Sequence, residues 1–129
     1  MARLEVQVAS IVSLGAPAKH GERRYVPIVG GTVSGPELNG EIVEGGVDWQ
    51  VLRADGVLDI AAHYVLRLND GALIEVQSDG VRHGTPVYFR TVVRFTTGHP
   101  DWLHLNKLLA LASGERLPDR VLLDFWRVA

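Results

Sequence analysis

A chain of 129 residues with 47% hydrophobic residues, a formal net charge of -2 and no cysteine has the size of one domain that fills its own core. The missing cysteines exclude a disulfide framework, thiolate metal sites and a cysteine nucleophile. A near-neutral charge without any run of Lys or Arg argues against nucleic acid or an anionic membrane as partner.

The start, Met1-Ala2-Arg3-Leu4-Glu5, has no apolar stretch of the signal-peptide kind, and no apolar run reaches membrane-spanning length, so a cytoplasmic protein is expected. Leu4–Val12 opens with strand-like alternation, Leu4, Val6 and Val8 against Glu5 and Gln7. Tyr25–Val33 follows and closes at Ser34-Gly35-Pro36. Short β-rich runs occupy Leu38–Glu44 and Val47–Arg53. Val57–Leu68 alternates over its whole length, and Asn69-Asp70-Gly71 then turns the chain into Ala72–Gln77, a hairpin signal. Val87–Thr96, Leu108–Ser113 and Arg120–Val128 complete the set. A short helical turn is expected near Asp101–Leu109, with Pro100 at its start. About nine strands with short loops predict a single all-β domain over residues 1–129, an antiparallel barrel whose closure removes its exposed edges.

Two strands carry the functional reading. In Val57–Leu68 the even positions form an apolar face, whereas the odd positions carry Asp59, His63 and Arg67. Such a strand either packs its apolar face into the core or lines a wet interior with its polar face, the apolar face being covered by a second subunit. A bulge would exchange the two faces midway. Gly45-Gly46-Val47-Asp48-Trp49 sets a carboxylate beside an indole in a strand, where successive side chains take opposite faces. An apolar surrounding raises a carboxylate's pKa and suits Asp48 to general acid–base work, although capping of backbone amides after the glycines explains the residue equally well.

His63 is the candidate proton shuttle, because histidine is the side-chain type whose unperturbed pKa lies nearest neutral pH, with a solvated strand histidine as its ordinary alternative. Arg67, Arg90 and Arg94 suit a carboxylate or enolate oxygen, or else plain surface ion pairs. Tyr88 shares a face with Arg90 and Arg94. The candidate set is therefore Asp48, His63 and Tyr88 for proton transfer, and Trp49, Arg67, Arg90, Arg94 and Trp102 for substrate contact. His20, His83, His99 and His104 lack metal-ligand spacing. No phosphate loop or serine elbow is present either, so neither metal nor cofactor is expected.

Val29-Gly30-Gly31-Thr32, Gly35-Pro36-Glu37-Leu38-Asn39-Gly40 and Gly45-Gly46-Val47-Asp48-Trp49 stand in the order of a known family. So do Tyr64-Val65-Leu66-Arg67, Asp70-Gly71-Ala72-Leu73-Ile74, Tyr88-Phe89-Arg90-Thr91, Arg94-Phe95-Thr96-Thr97-Gly98, Trp102-Leu103 with Asn106, and Gly114-Glu115-Arg116. On these motifs the chain, from about Tyr25 to Val128, resembles the DUF3237 family, also called UPF0311. The resemblance implies a lipocalin-like antiparallel barrel. One departure is Ala62-His63-Tyr64, where the family pattern has an arginine between alanine and tyrosine.

These readings converge on a ligand cavity among Trp49, His63, Arg67, Tyr88 and Arg90. The expected function is cofactor-independent proton transfer, an isomerisation, cyclisation or elimination, on a small aromatic or carbonyl-bearing molecule. A non-catalytic carrier or sensor, and a solid barrel serving as an interaction module, are the alternatives. Apolar residues on both faces of Val121–Trp126 also predict a homodimer or larger homo-oligomer.

Overall fold

A computed structural model describes residues 1–129. The strands are β1 (Ala2–Val8), β2 (Val12–Ala18), β3 (Gly21–Ser34), β4 (Gly40–Ile42), β5 (Gly46–Leu52), β6 (Leu58–Leu68), β7 (Leu73–His83), β8 (Tyr88–Thr96), β9 (Leu109–Arg116) and β10 (Arg120–Arg127). A single 3₁₀ helix, Pro100–Lys107, joins β8 to β9. All pairings are antiparallel, and β3 pairs back onto β1 to close the sheet into a barrel. β4 and β5 share one place in the wall between β3 and β6, β4 toward one end and β5 toward the other. The barrel thus has eight staves, with β2 attached outside along the first part of β3.

Strand alternation decides what lies inside. Leu58, Ile60, Tyr64, Leu66 and Leu68 of β6 are buried, as are Phe89, Thr91, Val93 and Phe95 of β8. The intervening His63 and Arg67, and Tyr88, Arg90 and Arg94, are exposed. The apolar face of the long strand is therefore the core face. Burying each large apolar side chain contributes about 1.5–3 kcal/mol, which fixes this choice of face. The length of β6 is accommodated by a change of partner, from β5 along its first half to β4 along its second. Between the two partners Val43 still donates to the Val65 carbonyl at 2.8 Å.

The Asn69-Asp70-Gly71 turn forms as its residues predict: Gly71 takes φ 89° and Asp70 Oδ1 accepts from the Ala72 amide at 2.9 Å. The helix lies beside this turn, with Leu105 buried and the Trp102 indole donating to Asp70 Oδ2 at 2.8 Å. One end of the barrel is closed in this way.

Ten strands replace the expected nine because Leu4–Val12 is not one strand. The chain leaves the barrel after Val8 and returns as β2, whose residues are all exposed. Three further strands outrun their expected limits: β3 begins at Gly21, β7 continues to His83 and β9 to Arg116. In β10, Leu123 and Phe125 face the core while Trp126 points outward, and Trp126 aligns with exposed Leu111 and Val92 across β9 and β8.

Gly114 of β9 is required by a close approach. A Cβ there would stand 2.8 Å from three atoms of the Phe89 ring, which lies against the wall at that point. Gly114→Ala should therefore destabilise the barrel by about 1–3 kcal/mol through overpacking, measured as a lowered urea midpoint with unchanged slope.

Candidate active site inside the barrel

Asp48 and Trp49 part company across the barrel wall. Asp48 points inward beside Gln50, whose amide donates to Asp48 Oδ2 at 2.8 Å. Trp49 is exposed, its ring centroid 5.1 Å from that of Tyr25 with the planes inclined by 48°, and the Arg23 guanidinium 4.7 Å from its centroid. The other carboxylate oxygen, Asp48 Oδ1, is buried without a hydrogen-bond partner. Burial pushes the carboxyl up to about 6, against opposing pulls from the Gln50 hydrogen bond and the guanidiniums of Arg82, Arg116 and Arg24.

Asp48 lines a cavity of about 40 Å³ together with Tyr64, Ser78, Phe89 and Thr91 among aliphatic side chains. The Tyr64 hydroxyl is also buried and unpartnered. Burial and the negative charge of Asp48 raise its pKa well above the ordinary phenol value, so it remains a proton donor. Tyr64 has this room because Gly46, opposite it on β5, has no side chain; a Cβ there would fall 2.5 Å from that of Tyr64. Ser78 Oγ and Thr91 Oγ1 satisfy each other at 2.7 Å. Asp48 Oδ1 and the Tyr64 hydroxyl are thus the two buried polar atoms of this cavity with no hydrogen-bond partner, and such buried groups call for a ligand or water.

A second hollow of about 20 Å³ continues past Asp48, Ile60 and Phe89 to Gln50, Arg82 and Arg116. Arg24 joins this group by donating to Gln50 Oε1 at 2.9 Å. Arg24 lies near the start of β3, Arg82 near the end of β7 and Arg116 at the end of β9. In an antiparallel barrel these positions share one end, opposite the end closed by the Trp102 helix.

The structure does not bring the other sequence candidates to this interior. His63 faces outward on β6, its Nε2 2.9 Å from Glu75 Oε2. Asp48 pairs in register with Ala62 rather than His63, so base and shuttle stand on opposite sides of the wall. Arg67 is outside as well, bonded to Glu41 at 2.8 Å. Tyr88, Arg90 and Arg94 occupy the outward positions of β8, Arg90 lying over the Tyr88 ring at 5.2 Å. Trp102 belongs to the closed end. The expected cavity among Trp49, His63, Arg67, Tyr88 and Arg90 is therefore corrected to one built on Asp48 and Tyr64, because strand parity turns those five residues outward. Asp70, His99 and Asp101 lie close together; both Asp70 oxygens and His99 Nδ1 already accept hydrogen bonds, from the Ala72 amide, the Trp102 indole and the Asp101 amide.

Sequence reasoning missed Tyr64, which alternates with aliphatic residues and reads as core. It also missed Arg24, Arg82 and Arg116. Each of these continues the apolar parity of its strand, Arg24 with Val26 and Ile28, Arg82 with Val76 and Ser78, Arg116 with Ala110 and Ala112. A cation on that parity was the available signal.

Fold and site together define a small closed antiparallel barrel with a polar group held inside one half of it. A family model described as "Protein of unknown function (DUF3237)" matches residues 1–87 and 84–128, and the chain belongs to this family. A UPF0311 protein of Rhodopseudomonas palustris is 36% identical over 124 residues, covering 84% of this chain and 81% of that protein. The crystal structure of a beta-barrel like protein from Acinetobacter baumannii AYE superposes with a TM-score of 0.95 at 34% identity, covering 100% of this chain and 93% of the other. A Penicillium herquei protein named as a hydroalkoxylation enzyme is 28% identical over 102 residues, which are 78% of this chain and 63% of that protein.

Proposed function

We propose that the barrel is a cofactor-independent enzyme in which Asp48 moves a proton on a small carbonyl-bearing molecule while Tyr64 holds the carbonyl oxygen. The observation that carries this reading is the pair of buried, unpartnered polar atoms, Asp48 Oδ1 and the Tyr64 hydroxyl, lining one cavity. A carboxyl pushed up to about 6 is poised to accept a proton and return it near neutral pH. A phenol that stays protonated stabilises an oxyanion as it develops. The cavity is smaller than a metabolite, so the substrate enters by displacing side chains at the arginine end.

The name of the Penicillium relative supports one form of this chemistry, the addition of an alcohol O–H bond across a carbon–carbon double bond. For a double bond conjugated to a carbonyl, Asp48 takes the hydroxyl proton as the C–O bond forms. The π electrons move onto the carbonyl oxygen, held by the Tyr64 hydroxyl. Protonated Asp48 then delivers the proton to the carbon beside the carbonyl, so no oxidant, reductant or cofactor enters the balance. Isomerisation and elimination reuse the same two steps.

Proton exchange tests the reading without knowledge of the natural substrate. In D₂O with 2-cyclohexenone as probe, the protein should speed deuterium incorporation beside the carbonyl, followed by NMR. Absence of exchange above a protein-free control, with the probe bound and recovered unchanged, would assign the barrel to the carriers. Tyr64→Phe should slow exchange roughly 10- to 100-fold through loss of the oxyanion donor. The same variant should leave stability unchanged or raise it by about 1 kcal/mol, because it removes a buried hydroxyl with no partner.

A further inference from the structure

Arg24, Arg82 and Arg116 meet at the end of the barrel opposite the helix with a single interior carboxylate, Asp48, among them. None of the three makes an ion pair within 4 Å, and the other arginines without one, Arg23, Arg90 and Arg94, lie on the outer face. Arg116 Nη1 is buried and has no hydrogen-bond partner. The lowered pKa of half-buried Arg82 has burial as its first cause and its like-charged neighbours Arg116 and Arg24 next. Three cations against one anion in a partly desolvated mouth leave positive charge without a counterpart. Guanidinium forks are also the groups best shaped to receive a planar oxyanion.

We propose that Arg24, Arg82 and Arg116 form an anion-binding subsite that seats the carboxylate or phenolate end of a small substrate, leaving its reactive carbons between Asp48 and Tyr64. The hollow that carries Arg82 and Arg116 shares Asp48, Ile60 and Phe89 with the cavity that carries Tyr64, so one molecule that pushes the Phe89 ring aside spans both. The placement of the reactive end rests on the proton-transfer reading; the anion subsite itself is tested by binding alone.

The test is calorimetric titration of benzoate and of benzamide, a neutral analogue of the same shape. Wild-type protein should bind benzoate at least about tenfold more tightly than benzamide. Arg82→Gln and Arg116→Gln should each weaken benzoate about tenfold and leave benzamide unchanged. Arg94→Gln, on the outer face, should bind both as wild type does. Should either glutamine variant fail to fold, Arg82→Lys and Arg116→Lys keep the charge and lose the fork, and should still weaken benzoate several-fold. Asp48→Asn separates the two ideas, because it should slow exchange of the ketone probe by roughly 10²–10⁴ yet strengthen benzoate by removing a neighbouring negative charge. A benzoate preference without proton exchange in any variant would overturn the reaction and keep the subsite. Equal binding of benzoate and benzamide, no binding of either, or full benzoate affinity in folded Arg82 and Arg116 variants would overturn the subsite.

Discussion

Asp48→Asn should slow the proton exchange of a bound ketone by roughly 10²–10⁴ while making the barrel more stable at neutral pH. The two effects have one origin. Inside the barrel the carboxyl is pushed up to about 6, from its ordinary value of 3.8, chiefly by burial. Between about pH 4 and pH 6 the folded chain therefore holds a proton that the unfolded chain has released. The sign follows: stability is greatest where the carboxyl is protonated, falls as pH rises through this window, and stays lower above it. The shift corresponds to roughly 3 kcal/mol. An asparagine has no such ionisation, so the variant should be more stable than wild type by about 2–3 kcal/mol at pH 7–8 and nearly equal to it at pH 4. Urea denaturation at both pH values, alongside the exchange rate, checks the result. A variant equally stable at pH 8 and no slower in exchange would show that Asp48 is neither strained by burial nor catalytic.

Phe89→Ala should lower stability by about 3–5 kcal/mol, the range for deleting a buried aromatic ring. Phe89 is buried and fills the space above Gly114, and it lines both interior hollows. Its removal should join these into one larger chamber that reaches from Tyr64 to the arginines. If the barrel still folds, the variant should accept a bulkier aromatic ketone than wild type in the exchange assay. A lowered thermal midpoint with unchanged probe selectivity would instead show that the ring does not separate the two hollows.

The fold was legible because alternation and turn chemistry agree along most of the chain. Leu58 to Leu68 alternates without a break, and Asn69-Asp70-Gly71 forms the hairpin turn it spells. Val12–Ala18 was not legible as a strand of its own, since a segment exposed on every residue has no apolar parity to display. The site was legible at Asp48 and illegible at its mouth for one shared reason. Arg24, Arg82 and Arg116 all lie beyond the strand limits drawn from composition, yet the strands run on past them. Chain closure supplies what local pattern lacks there: pairing with neighbours extends β3, β7 and β9, and the extension turns the three cations inward. His63 and Arg67 show the converse. Their chemistry was attractive, but their parity placed them in water.

The opposite orientation of Asp48 and Trp49 makes this wall intolerant of a change in residue count. Deleting or inserting a single residue within β5 while its pairing with β3 and β6 is kept would send the indole into the interior and the carboxylate out into solvent. The chain's freedom to vary in length is accordingly confined to its bends, such as Arg53–Gly56, which is closed by a Gly56-to-Arg53 backbone bond of 3.0 Å. Homologous chains should therefore differ in length at such bends and keep the spacing between Gly46 and Asp48 constant.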